Sequence, residues 1–321
     1  MTCAAPVRSF AAVRPLWETI LVRRPWNSVF LTPAWQETWW DGFGREDELR
    51  LFTVGPEDAP LGVAPMLLRG DRLTFLGGTD LFDYHDFITA DSAFYPALFD
   101  CLEQEPWRTM ELTSVPEWTS TFELLPRAAR ERGGHVRVEH EDVAPGIELP
   151  GSWDEYLAGL RKKDRHELRR KLRRLESAGE VTMRLAEGAT FDRDLELFQR
   201  VMAESREEKK DFLSPERQAF FVRMAGRMSA LGLLKLFLLE LDGDPIAAVL
   251  TFDYEGRRLL YNSGYRHEYG RLAPGLLLKA LCIRDAIESG LTYFDLLRGS
   301  EAYKHHLGAV DHSVYRIVVV R

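Results

Sequence analysis

Apolar and polar positions alternate along this chain in two distinct periods. Runs with a two-residue period or continuous apolar character fall at Leu49–Val54, Leu61–Leu68, Arg72–Leu76 and around Met110-Glu111-Leu112. Others fall at Val136–Leu149, Leu234–Leu241, Ile246–Tyr254, Arg258–Ser263, Tyr293–Leu297 and Val314–Val320. Each predicts a strand, because side chains alternate faces along extended backbone. Helical spacing predicts helices over Phe94–Leu102, Thr119–Arg130, Phe191–Ser205, Pro215–Ala230, Pro274–Ser289 and Ser300–Leu307. Thr32 before Pro33, and Ser152 before Trp153, are capping residues that start two further helices. Asp242-Gly243-Asp244 and Glu255-Gly256 separate three apolar runs, so those runs should form an antiparallel meander.

Pro150-Gly151-Ser152 divides the pattern into a mixed first half, residues 1–150, and a second half, residues 151–321. The second half reads helices, meander, helix, strand, short helix, strand, and the first is a worn version of that order. The expected fold class is α/β (α+β): two similar halves, each a mixed, mostly antiparallel sheet flanked by helices. With 45% hydrophobic and 29% charged residues the composition is that of a globular protein. A net charge of −8 argues against a surface devoted to nucleic acid. No apolar run approaches the roughly 20 residues of a membrane span. Cys3, Cys101 and Cys282 lie far apart and show no zinc-ligand spacing. They read as reduced thiols of a cytoplasmic protein, and no metal is implied.

Candidate chemistry concentrates where the strand at residue 293 ends. Arg298 and Gly299 are followed by Glu301, Tyr303, Lys304, His305 and His306, more ionisable groups than a core strand needs at its exit. The loop from Gly264 to Gly275 is basic, contains glycine and feeds a helix N-terminus, an arrangement suited to anion binding. Residues 161–174 hold nine Lys and Arg against Asp164 and Glu167, a local charge of +7. Leucines on one face of that helix should turn the charge outward. The result is either a solvated face or an electrostatic funnel for a polyanion. No aromatics interleave with it, so sequence-specific nucleic-acid reading is not expected.

The chain resembles the GNAT acyltransferase superfamily. More closely it resembles tandem GNAT-like acetyltransferases of cellulose biosynthesis, of the CelD/BcsL type, which are related to the FemABX peptidyltransferases. The residues that carry the resemblance are Phe30–Trp35, Asp83-Tyr84-His85-Asp86, Leu160–Arg170, Lys209 with Phe212, Tyr261–Tyr265, Pro274-Gly275, Phe294–Gly299, Glu301, Tyr303 and Lys304. His267 and Leu272 depart from the superfamily's phosphate-loop pattern, Gln/Arg-x-x-Gly-x-Gly/Ala.

The resemblance implies an acyl-CoA, foremost acetyl-CoA, as co-substrate, held at Gly270, Arg271, Pro274, Gly275 and Leu276. It implies N- or O-acylation of a small molecule, sugar or cell-envelope precursor by direct attack on the thioester. Tyr303 occupies the place of the leaving-group acid. Glu301 or Asp295 is a candidate base, and Lys304 or Arg298 a candidate for stabilising negative charge. Arg298, Asp83, His85, Lys209, Tyr261 and Asn262 are candidate acceptor-binding residues, with His85 also a rival base. The alternatives are aminoacyl transfer from tRNA, as in FemABX relatives, and a non-catalytic protein that holds a polyanion or partner.

Overall fold

Four helix starts follow capping residues. The side chains of Thr32, Thr119, Ser152 and Ser214 accept hydrogen bonds from backbone N–H groups three residues on, each pairing an amide that the first helical turn leaves free. The computed structural model describes residues 6–44 and 47–321.

In chain order its elements begin with helices α1 (Phe10–Leu21) and α2 (Pro33–Phe43) and strands β1 (Glu48–Val54), β2 (Gly62–Arg69), β3 (Arg72–Phe75) and β4 (Ile88–Thr89). Next come α3 (Phe94–Leu102), β5 (Thr109–Pro116), α4 (Ser120–Glu131), β6 (His135–Val143) and β7 (Gly146–Glu148). Helices α5 (Trp153–Gly159) and α6 (Lys162–Glu176), strand β8 (Val181–Leu185), and α7 (Phe191–Ser205), α8 (Glu207–Phe212) and α9 (Pro215–Ala230) follow. The meander is β9 (Leu234–Leu241), β10 (Asp244–Tyr254) and β11 (Arg257–Tyr265). The chain then runs through α10 (Pro274–Glu288), β12 (Tyr293–Asp295), α11 (Ala302–His306) and β13 (Ser313–Val320).

The chain forms two units. The first, residues 1–143 with 312–321, contains a sheet ordered β1-β2-β3-β5-β13-β6, with β4 on β2. Its core packs Phe52, Met66, Leu73, Met110 and Ile317 of the strands with Phe94, Leu98 and Leu125 of α3 and α4. The second unit, residues 144–311, contains a sheet ordered β7-β12-β11-β10-β9-β8. Its core joins Phe237, Leu239, Val249 and Leu260 to Leu277, Leu278 and Ile283 of α10. Both sheets are mixed and mostly antiparallel, with single parallel pairs at β3–β5 and β11–β12.

The two tight turns of the meander are as expected. Asp242-Gly243 and Glu255-Gly256 have positive φ at both residues, the conformation a two-residue hairpin needs. Three features differ from the sequence reading. The run Val136–Leu149 breaks at Ala144-Pro145 into β6 and β7, which join different sheets, since Pro145 brings no N–H to continue a ladder. The last strand, grouped above with residues 151–321, instead pairs with β5 and β6 in the first unit's sheet. Cys282 is a buried free thiol, but Cys101 is disulfide-bonded, correcting the reduced state expected for it. Cys3 lies outside the described residues. Among the described residues no helix is long and apolar enough to cross a membrane.

Candidate active site

Strand β12 stays beside β11 for only three residue pairs, ending at Leu259↔Asp295. Strand β11 continues to Tyr265, so the edge of residues 260–265 on that side has no strand partner among the described residues. A bulge, with a register shift between Leu250 and Thr251 opposite Asn262 and Leu260, makes Tyr261 the extra residue and re-aims its neighbours. Helix α7 lies close to this strand because Gly264 has no side chain: a Cβ there would sit 2.4 Å from the backbone N of Met202.

The strand-exit segment is held by its own polar groups. Asp295, 5% exposed, accepts a hydrogen bond from the Leu297 N–H at 2.8 Å, and Leu297 takes a left-handed φ of 58°. The Lys304 ammonium is 1% exposed as a residue and donates to the carbonyls of Leu297 (2.9 Å), Arg298 (2.7 Å) and Gly299 (2.9 Å), with Glu301 Oε2 at 3.0 Å. An ammonium has three protons, and here they meet four oxygens of its own loop, so Lys304 and Asp295 shape the loop. Gly299 permits this closeness, since a Cβ would lie 2.5 Å from Glu301 Oε2. His305 and His306 bond Asp311 and Asp164, both at 2.8 Å.

Tyr303 is half-buried; burial first, and then the Glu301 charge, push its phenol above the ordinary value, so it keeps its proton. Burial would raise the Glu301 carboxyl, but the Lys304 ammonium outweighs this and holds it below the usual range. The Nζ of Lys209, from α8, donates to Asn262 Oδ1 at 2.8 Å and to the Ser263 carbonyl. Burial, then repulsion from Arg206, bring Lys209 down to about 8. Thus Lys209, Asn262, Glu301 and Tyr303 come together in the second unit. Tyr261 packs beside the rings of Phe221 and Phe252, and Arg298 is half-buried in the exit loop.

A fifth member, Lys279, was hidden inside the apolar helix run Leu276–Ile283. It is 8% exposed, donates to the Gly275 carbonyl at 3.1 Å and places its Nζ 4.9 Å from the Tyr303 ring centre. Burial, then repulsion from Lys209, bring its pKa to about 7. The one sequence signal was a lysine where every helical neighbour is apolar.

The expected donor loop is a 3-10 turn, His267–Leu272, leading through Ala273 with left-handed φ into α10, whose N-terminus no side chain caps. Gly270 and Arg271 are exposed, Leu276 is half-buried, and Pro274 is buried. Gly275 is closed against Tyr265, 2.9 Å from where its Cβ would lie. Arg174 of the basic helix α6 donates to the Arg271 carbonyl at 3.1 Å, which sets that charged helix beside the loop. Asp83 and His85 belong to the first unit. There His85 is 2% exposed, stacked on Phe75 and Phe82, and borders a cleft of about 530 Å³ with Arg69, Arg72 and Gly77. Among the described residues no group of three His, Cys, Asp or Glu is placed to hold a metal.

Residues 162–305 match the family described as Acetyltransferase (GNAT) domain. The fold is similar to that of FemX, with 12% identity and a TM-score of 0.68 over 100% of this chain and 98% of that one. It is also similar to L-PGS from Bacillus licheniformis (12% identity, TM-score 0.55, 99% and 93% covered). A tandem GNAT protein from the clavulanic acid biosynthesis pathway matches at 12% identity and a TM-score of 0.53, with 97% of that chain and 98% of this one covered. No curated protein sequence matches the chain. These likenesses carry the fold: mixed α/β, with two sheets flanked by helices in two GNAT-like halves.

Proposed function

We propose that this GNAT-fold chain is an acyltransferase that moves an acyl group from coenzyme A, foremost acetyl-CoA, to an amine or hydroxyl acceptor. The observation that carries this reading is the opening of the second sheet after Leu259↔Asp295, with Tyr303, Glu301 and Lys209 gathered at the uncovered edge of β11. Backbone amides and carbonyls on an edge with no neighbouring strand can align an extended amide-bearing donor. The uncapped start of α10, with α6 beside it, suits the donor's phosphates.

The acceptor attacks the thioester carbonyl, the carbon–sulfur bond breaks, and the thiol leaves with the proton the acceptor gives up. Tyr303, kept protonated, donates a hydrogen bond to the departing sulfur. Glu301, ionised and oriented by Lys304, accepts one from the incoming nucleophile. Lys304 and Asp295 act through the loop they hold, while Arg298, Asn262 and Tyr261 line the acceptor side. The CelD/BcsL resemblance suggests a saccharide or cell-envelope acceptor.

A second reading, aminoacyl transfer from tRNA, draws on the exposed charge of α6 beside the α10 loop. Calorimetric binding and a thiol-release assay with acetyl-CoA separate the two. Saturating acetyl-CoA, at 100 times its Kd, should stabilise the protein by about 2.7 kcal/mol. Tyr303→Phe should lower turnover by about 100-fold with donor affinity little changed. Saturable tRNA binding without any response to acyl-CoA would exchange the first reading for the second.

A further inference from the structure

Lys209 and Lys279 put two basic groups at the junction of β11 and α10, and the exposed Arg206 is near enough to repel both. Lys209 is tied to Asn262 and Ser263 of the strand, and Lys279 to Gly275 of the helix. Tyr265, two residues beyond Ser263, packs directly against Gly275, so both ammonium groups sit on one short stretch of the fold. Among the described residues no carboxylate lies within ion-pair distance of any of the three. Glu301 is the nearby acid, and its charge is engaged by Lys304 at 3.0 Å. The hydrogen-bond count leaves donors over: Lys209 uses two of its three protons and Lys279 one. Spare N–H groups on a buried ammonium (Lys279) beside a half-buried one (Lys209) are costly unless an anion completes the set.

We propose that the β11–α10 junction recognises a carboxylate, the charged end of a substrate bound beside Tyr303. The Lys279 Nζ lies 4.9 Å from the Tyr303 ring centre, which ties the junction to the side where the acyl group would react. The proposal rests on the acyl-transfer reading only for what carries the carboxylate: a dicarboxylic acyl group on the donor, or an amino-acid-like acceptor. The depressed lysine pKa values agree with it, because a bound anion favours the charged form of both lysines.

Calorimetry on the full chain tests it with two matched pairs at pH 7: succinyl-CoA against acetyl-CoA, and glycine against glycinamide. In at least one pair the carboxylate form should bind about tenfold or more tightly than its neutral-ended counterpart. That preference should fade between pH 8 and 10 and vanish in the Lys209→Met, Lys279→Met double variant. Thermal unfolding of each single variant confirms that lost binding is not lost folding. A preference for succinyl-CoA assigns the carboxylate to the donor; one for glycine assigns it to the acceptor. Equal binding within both pairs, or a preference that survives the double substitution, overturns the proposal. If the glycine preference appears while acetyl-CoA does not bind, the acyl-transfer reading fails and the carboxylate site stands.

Discussion

A lysine removed from water can keep its charge by finding a carboxylate, spread it over carbonyl oxygens, or give up its proton. Lys304 does the first two, with Glu301 and three backbone carbonyls, and so braces the exit loop. Lys279 has one carbonyl and an aromatic face, and its pKa falls to about 7. An unfolded Lys279 takes its proton near its ordinary value of 10.5, the folded one only near 7, so between these the unfolded chain binds more protons. This side chain therefore makes stability rise with pH from about 7 to 10.5, and its penalty is fully present below about pH 7. Urea unfolding of Lys279→Met should show a higher midpoint at pH 7 and a flatter pH profile than the wild type. The difference should be several kcal/mol at most, since each tenfold change in proton affinity is worth about 1.4 kcal/mol. Tyr303 and Glu301 were visible in the sequence because polar residues cluster at a strand exit. Lys279 was not, because periodicity treats a lysine inside an apolar helix as an exception and says nothing of what faces it.

Among the elements, α7, α8 and β11 form the scaffold of the cluster. Gly264 lets the α7 backbone approach β11, and α8, which follows α7 directly, carries Lys209 to Asn262. Gly264→Ala should force α7 away, costing about 1–3 kcal/mol in denaturant unfolding and weakening donor and acceptor binding together. Turn chemistry and caps made the meander legible almost residue by residue, since Asp-Gly and Glu-Gly set a two-residue loop and so its register. Strand β8 and helix α8 escaped the sequence reading. Each is short, and β8 is only half-buried, so its side chains show no firm alternation.

At the scale of the whole molecule, the telling element is β13. It lies between β5 and β6, paired on both edges, in the sheet of the first unit, although more than 150 residues separate it from β6. Deleting residues 312–321 would expose two ladders at once and should unfold the first unit. Seven of the eight tryptophans lie in that unit, so a red-shifted tryptophan emission and early loss of near-UV ellipticity would report it.

What the amino-acid order determined alone was local: caps, tight turns, the apolar faces of strands and helices, and the gathering of Glu301, Tyr303 and Lys304 within one turn. These depend on neighbours a few residues away, and that information is written contiguously. Tertiary structure decided which sheet each strand joins, which polar groups are consumed in holding the fold, and which are left facing a site. Lys304 and Lys279 look alike as letters. Only the number of oxygens the folded backbone turns toward each makes one a brace and leaves the other, beside Tyr303, ready to give up its proton.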